Sequence, residues 1–334
     1  MRWKKTITMV EAHAEAEVGR IVTGGVIDIP GKTMLDKMNY INQVDDSLRR
    51  FLVFEPRGYA QMSTNLIFPP THPDADIGFV ILQGDKAHAM SGSNCICLVT
   101  VMLETGMIEM KEPETTITIE TPAGLVKARA TCHEGKCERV TLSMTPCYFD
   151  TLDAVVEVEE LGRITVDIAF GGILYALVDP TQFDLTITPK NARKLVDVGS
   201  SVQRAVNQQL DIRHPALPGL EGISYTMFTG FDDDGAMKGA TILPPGRIDR
   251  SPCGTGNSAR AAVMTARGQV TIGETKIARS IIDSEFQVQV EAQKEINGQL
   301  CVLPIISGRG WIHGIHQIGV DPSDPYQQGY KVSD

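Results

Sequence analysis

Two short segments of this chain spell the same opening of a helix, half a chain apart, and that echo narrows the folds open to it. Met90-Ser91-Gly92-Ser93-Asn94 leads into Ile96, Leu98, Val99, Met102 and Leu103, which keep helical spacing to about Glu104. Pro252-Cys253-Gly254-Thr255-Gly256 leads into a run of small residues and helix formers from about Asn257 to Arg267. In both, a small nucleophilic residue is followed by Gly, then by Ser or Thr, then by a small and apolar stretch. Taken singly, each has an ordinary explanation: Ser is a common N-cap, Gly a common turn residue, and buried free Cys is frequent. The repetition is what those explanations do not supply. Its economical reading is two similar α/β halves, each presenting one helix N-terminus. If the halves face each other, Ser91 and Cys253 flank one cleft, and two helix N-termini aimed at one point make a carboxylate site.

The remainder of the chain fits such halves. Short strands dominate: Ile117 to Thr121 and Phe286 to Val290 alternate with the strand period, and Arg163 to Phe170 runs into Gly171-Gly172. A further helical pattern spans Thr188 to Gln209, with Leu195, Val198, Val202, Ala205 and Val206 on one face. No repeat of solenoid period is present. At 334 residues the chain is long enough for two domains with buried cores, and 42% hydrophobic with 22% charged residues is normal for a soluble protein. A net charge of −10 argues against nucleic acid as a partner. No apolar run approaches a membrane span, and the segment from Met1 to Thr6 lacks the apolar core of a signal peptide. Seven cysteines, an odd count with no export signal, point to free thiols in a reducing, cytoplasmic setting.

Cys253 carries the chemistry. A thiol at a helix N-terminus meets unpaired N–H groups and the positive end of the helix dipole, so a lowered pKa is expected there. Other candidates are weaker. Cys95 and Cys97 diverge on a helix. Cys132-His133 with Cys137 has no evident fourth ligand, so no metal is expected. His313 and His316 lie in a strand-like stretch near Trp311, and Asp232-Asp233-Asp234-Gly235 lacks the spacing and closing Glu of a calcium loop. Gly24-Gly25 and Gly171-Gly172 form no dinucleotide fingerprint.

Asp249-Arg250-Ser251-Pro252-Cys253-Gly254-Thr255-Gly256 resembles the second catalytic motif of the proline racemase family, and Met90-Ser91-Gly92 with the Leu98 to Gly106 stretch resembles the first. Glu55-Pro56-Arg57-Gly58, Ala75 to Gly78, Asp167 to Gly172 and Asp321 to Pro325 extend the likeness over nearly the whole chain. The resemblance implies an α/β (α+β) architecture: two similar domains of diaminopimelate epimerase-like fold, each a curved sheet around a central helix, with the active site in the cleft between them. The first would cover 1–186, joined by 311–334, and the second 187–310. It implies a cofactor-independent enzyme acting at Cα of proline or a hydroxyproline, as monomer or homodimer, with no metal, nucleic acid or membrane partner. Ser91 would be the proton acceptor and Cys253 the donor or acceptor on the opposite face. Gly92, Ser93, Gly254 and Thr255 would bind the carboxylate, Asp249 the ring nitrogen, and Tyr225 the ring substituent.

Three positions depart from the usual pattern: the first-motif Cys is Ser91, the following His is Ser93, and a His before the second motif is Tyr225. A serine hydroxyl is a costlier base than a thiol, so symmetric racemisation is not expected. Dehydration of trans-3-hydroxy-L-proline to 1-pyrroline-2-carboxylate, with accompanying 2-epimerisation, is the leading expectation. The alternatives are a 4-hydroxyproline 2-epimerase, taking trans-4-hydroxy-L-proline to cis-4-hydroxy-D-proline, and a non-catalytic relative that binds a proline-like ligand.

Overall fold

A computed structural model describes residues 3–59, 61–296 and 298–332. The chain divides into two compact units: everything up to Leu142 together with the segment from Gly308 onward, and Ser143–Ser307. The junctions therefore differ from 186/187 and 310/311. The reason lies in strand pairing: Tyr148–Val158, Gly162–Phe170 and Leu174–Val178 pair with one another, and the last lies parallel to Tyr225–Phe231. All four strands thus belong to one unit.

The helices are α1 (Met34–Gln43), α2 (Ser47–Val53), α3 (Gly92–Glu104), α4 (Ala192–Gln209) and α5 (Gly254–Ala266). In the first unit, Thr6–Ala14 pairs with Glu17–Gly24 across Glu15-Ala16, whose positive φ values (45° and 74°) suit a tight hairpin. Glu17–Gly24 then runs parallel to Thr64–Phe68, with α1 and α2 in the crossover. Thr64–Phe68 pairs antiparallel with Ile77–Leu82, which takes Ala87–His88 antiparallel and Glu114–Thr121 parallel. The helix α3 lies in that second crossover. Gly310–Gly319 closes the unit against Thr6–Ala14.

The second unit repeats this plan. Leu174–Val178 runs parallel to Tyr225–Phe231 with α4 in the crossover. Tyr225–Phe231 pairs antiparallel with Met237–Leu243, which takes Arg247–Ile248 antiparallel and Thr275–Arg279 parallel, with α5 between them. The echo seen in two short motifs thus extends to the order of strand pairings in each half.

Packing explains why α3 and α5 are the central helices. Every residue of α3 from Gly92 to Leu103 is buried, as is every residue of α5 from Gly254 to Met264. A helix apolar on all sides belongs in a core. The first packs on Thr6–Ala14, Glu17–Gly24 and Gly310–Gly319; the second on Tyr148–Val158, Gly162–Phe170, Leu174–Val178 and Glu285–Ile296. Small residues let the strands come close. A Cβ on Gly171 would overlap the Thr255 carbonyl oxygen and lie 2.5 Å from Ala259 N. Only glycine fits at that approach to the first turn of α5. On the opposite kind of helix, α1, the start is fixed by side chains: Asp36 N donates to Thr33 Oγ1 at 3.1 Å and Thr33 N donates to Asp36 Oδ2 at 3.1 Å, a reciprocal cap. No helix among the described residues is long and apolar enough to cross a membrane.

Candidate active site

In the first unit Ser91 is the N-cap of α3, in extended backbone at φ −151°, ψ 123°. Its Oγ accepts from Asn94 Nδ2 at 2.9 Å and from Asn94 N at 3.4 Å, and lies 3.3 Å from Ser93 Oγ. The Asn94 carboxamide is oriented in turn by Asn65, whose Nδ2 donates to Asn94 Oδ1 at 2.7 Å. Both asparagines are buried. Gly19 makes room for this pair, since a Cβ there would stand 2.7 Å from Asn94 Oδ1 and 3.2 Å from Asn65 Nδ2. Two donors therefore converge on the Ser91 oxygen. Both favour negative charge on it, as does the start of the helix.

In the second unit Cys253 is the N-cap of α5 at φ 70°, ψ 98°, a region that side-chain-bearing residues seldom occupy. Holding a non-glycine residue there costs of order 1–3 kcal/mol, and such conformations cluster at functional sites. The residue is held from both sides: Cys253 N donates to Ser251 Oγ at 3.1 Å, and Asn257 Nδ2 donates to the Cys253 carbonyl at 3.1 Å. Ser251 is anchored through Asp249, whose Oδ1 accepts from Ser251 N at 2.8 Å and Ser251 Oγ at 2.9 Å. Asp249 is buried, and the double contact fixes its carboxylate four residues before the thiol.

The sulfur itself meets hydroxyls. Tyr175 OH lies 3.3 Å from Cys253 Sγ and 2.6 Å from Thr255 Oγ1, while Thr255 Oγ1 is 3.9 Å from the sulfur. Tyr225 packs edge-on against Tyr175, with ring centroids 5.8 Å apart at 71°. The two tyrosines are register partners on the parallel strands. Thus Cys253, Thr255 and Asp249 come together within the second unit, and Tyr225 joins them through Tyr175. Gly254 is the first residue of α5, and in the first unit Gly92 and Ser93 open α3 beside Ser91. Neither helix has an acidic residue in its own first turn, where N–H groups suit an anion.

The expected lowering of the Cys253 pKa is not what the site shows. Burial, followed by the charge of Asp249, pushes the thiol up to about 12. The hydroxyls of Thr241 and Tyr175 and the Gly256 N–H act the other way and are outweighed. With the sulfur removed from water, desolvation of a thiolate exceeds what one helix end returns. The resting form at neutral pH is the thiol. Sequence reasoning also passed over Tyr175 and Asn65. Both sit in strands distant in sequence from the helices they serve, and no local pattern marks them. The remaining cysteines are core residues: Cys95, Cys97, Cys132, Cys137, Cys147 and Cys301 are all buried and free.

A family model described as Proline racemase matches residues 9–331. The chain belongs to the proline racemase family. A protein of Agrobacterium fabrum named 4-hydroxyproline 2-epimerase is 50% identical over 336 residues, spanning 100% of this chain and 97% of that protein. A solved hydroxyproline epimerase from Agrobacterium vitis, with bound trans-4-hydroxy-L-proline, superposes with a TM-score of 0.97 at 47% identity, covering 100% of this chain and 98% of that one. A Bacillus anthracis phenazine biosynthesis protein of the PhzF family shares only 14% identity but has a TM-score of 0.56 over 95% of this chain and 100% of that one, which shows the common fold. The mixed α/β fold with buried central helices is thus that of the epimerase-like group.

The expected dehydration of trans-3-hydroxy-L-proline is overturned, because the relative at 50% identity is named a 4-hydroxyproline 2-epimerase and the one at 47% a hydroxyproline epimerase. The chemical reason is plain. A hydroxyl on C4 is not on the carbon adjacent to Cα, so a carbanion at Cα cannot expel it. Whether position 91 holds serine or cysteine does not decide where a substrate carries its hydroxyl.

Proposed function

We propose that this protein interconverts trans-4-hydroxy-L-proline and cis-4-hydroxy-D-proline by removing the α-proton from one face of Cα and returning one to the other. The observation that carries the reading is the matched pair of helix starts. Ser91 and Cys253 each precede a helix buried from its first residue through its first eleven or more, at the same point in the strand order of its unit. The family and the named activity of relatives at 47–50% identity support it.

In this reading Ser91, acting as the alkoxide that the two donors from Asn94 favour, takes the α-proton of the L-substrate and becomes a hydroxyl, while Cys253 gives its thiol proton to the other face and becomes a thiolate. The amides of Gly92, Ser93, Gly254 and Thr255 hold the substrate carboxylate and the charge that develops as Cα loses its proton. Asp249 holds the ring ammonium, which acidifies Cα, and Tyr225 lies toward the ring substituent. No cofactor is called for: proton transfer at a carbon between a carboxylate and an ammonium needs only placed acids, bases and donors.

The test is proton NMR in D₂O. With trans-4-hydroxy-L-proline the α-hydrogen signal is expected to fade as cis-4-hydroxy-D-proline appears, and Cys253→Ala and Ser91→Ala are each expected to slow this by about 10²–10⁴-fold. Absence of α-exchange from both 4-hydroxyproline epimers would sink the proposal.

A further inference from the structure

One buried group that the mechanism above leaves unused touches the sulfur. Tyr175 is fully buried, and its hydroxyl contacts two side chains that both belong to the helix start: Cys253 Sγ at 3.3 Å and Thr255 Oγ1 at 2.6 Å. We propose that Tyr175 is a positioning residue that stabilises the Cys253 thiolate, by reversing its hydrogen bond with Thr255 each time the sulfur gains or loses a proton. This rests on the reading of Cys253 as a proton-transfer group.

The donor count supports it. Three groups, the thiol and two hydroxyls, share three protons and lie in a chain. When the sulfur carries its proton, that proton must be directed at the substrate carbon, and the Tyr175 hydroxyl is satisfied by donating to Thr255 Oγ1. When the proton has left, the sulfur becomes an acceptor only. The Tyr175 hydroxyl then donates to it, and the Thr255 hydroxyl donates to the tyrosine oxygen. No heavy atom has to move, because the existing distances serve both arrangements. A neutral phenol is required in both. Burial and the nearby sulfur hold Tyr175 in that form well beyond the ordinary tyrosine range.

The surroundings leave this role to hydroxyls. Asp249, on the segment before the helix, opposes a thiolate. The buried Thr241 hydroxyl, from Met237–Leu243, and the Gly256 N–H favour it. Tyr225, beside Tyr175 on the neighbouring strand, acts on the phenol. Tyr175 is tied at hydrogen-bond distance to both the sulfur and a second proton-bearing group.

The experiment compares the full-length protein with Tyr175→Phe, which keeps the ring and removes the hydroxyl. Alkylation of each cysteine by iodoacetamide at pH 8.5 is followed by peptide mass spectrometry, beside α-proton exchange of trans-4-hydroxy-L-proline. Loss of one hydrogen bond to a thiolate corresponds to about one pKa unit. Alkylation of Cys253 is therefore expected to slow about tenfold, with the other six cysteines unchanged, and kcat to fall with little change in KM. A purely structural tyrosine would act in the opposite sense: its removal would loosen the site and speed alkylation. An unchanged or faster rate at Cys253 overturns the proposal. Should Tyr175→Phe fail to fold, Thr255→Val removes the second member of the chain and must slow Cys253 alkylation in the same direction; an unchanged or faster rate there overturns it too. Slower alkylation together with a wild-type protein that exchanges no α-proton would leave this inference standing and reject the epimerase reading.

Discussion

At the scale of single residues, the two proton-transfer candidates solve one problem by different means. A bare serine oxygen is a poor base. Ser91 is supplied with donors from Asn94, and Asn94 is locked by Asn65. Asn94→Ala strips both the donor and the partner of a buried amide. It is expected to cost about 1–3 kcal/mol in chemical denaturation and to lower kcat for α-exchange more than it changes KM. A variant with wild-type kcat would remove Asn94 from the account. Cys253 faces a different balance, since burial keeps its proton on. A thiol whose folded pKa lies above the ordinary 9.0 holds its proton where the unfolded chain has lost it. Its contribution to stability is whole below about pH 9 and is lost as the pH climbs toward about 12. Cys137 is shifted to the same value, and Cys95, Cys97 and Cys147 are pushed up further by burial. The guanidinium midpoint is therefore expected to fall between pH 8 and pH 10.5; an invariant midpoint would contradict the burial of these thiols.

At the scale of elements, glycine controls how near a strand can come to a central helix. Gly171 lies against the first turn of α5, where a methyl group would strike the Thr255 carbonyl. Gly171→Ala is expected to destabilise by about 1–3 kcal/mol and to displace the turn that carries Thr255. Calorimetry and α-exchange should both register it, and an unperturbed melting temperature would contradict this packing. The helices also show what local sequence conveys and what it does not. The spacing of apolar residues located α3 and α5 but began them at Asn94 and Asn257, whereas they start at Gly92 and Gly254. Glycine beside a nucleophile reads as a turn, yet here it already takes the first helical position. The pattern from Thr188 was entered four residues early, because Pro189–Asn191 form a separate 3-10 turn before α4. The short helix α1 does bury Met34, Met38 and Ile41 at helical spacing, a stripe of only two turns that is easily passed over in sequence. The site motifs were legible because each is contiguous. Tyr175 and Asn65 were not, because strand pairing brings them to the helices from far along the chain. Nor was the protonation of Cys253, which depends on how completely the sulfur is enclosed.

At the scale of the whole molecule, the same order of pairings occurs in both units, and each central helix follows a two-residue strand. Electrostatics outside the helix starts is local. In the first unit, burial alone would raise the Asp85 carboxyl, but the charge and hydrogen bond of His88, 3.0 Å away, and Lys86 hold it down to about 2. A depressed carboxyl adds stability above its ordinary 3.8 that is lost as the pH falls toward 2. Asp85→Asn is accordingly expected to lower the denaturation midpoint at pH 6 and to have little effect at pH 2; an equal loss at both would assign Asp85 a packing role only. The pairing of Thr6–Ala14 with Gly310–Gly319 has a consequence for synthesis. As the chain leaves the ribosome, Thr6–Ala14 emerges before the second unit, and its partner Gly310–Gly319 emerges after it. The residues of the second unit, 143–307, have all emerged by then. The usual order, in which the N-terminal domain folds first during translation, meets an obstacle here: all residues of the second unit are available while the half begun first still has an open strand edge that Gly310–Gly319 will cover.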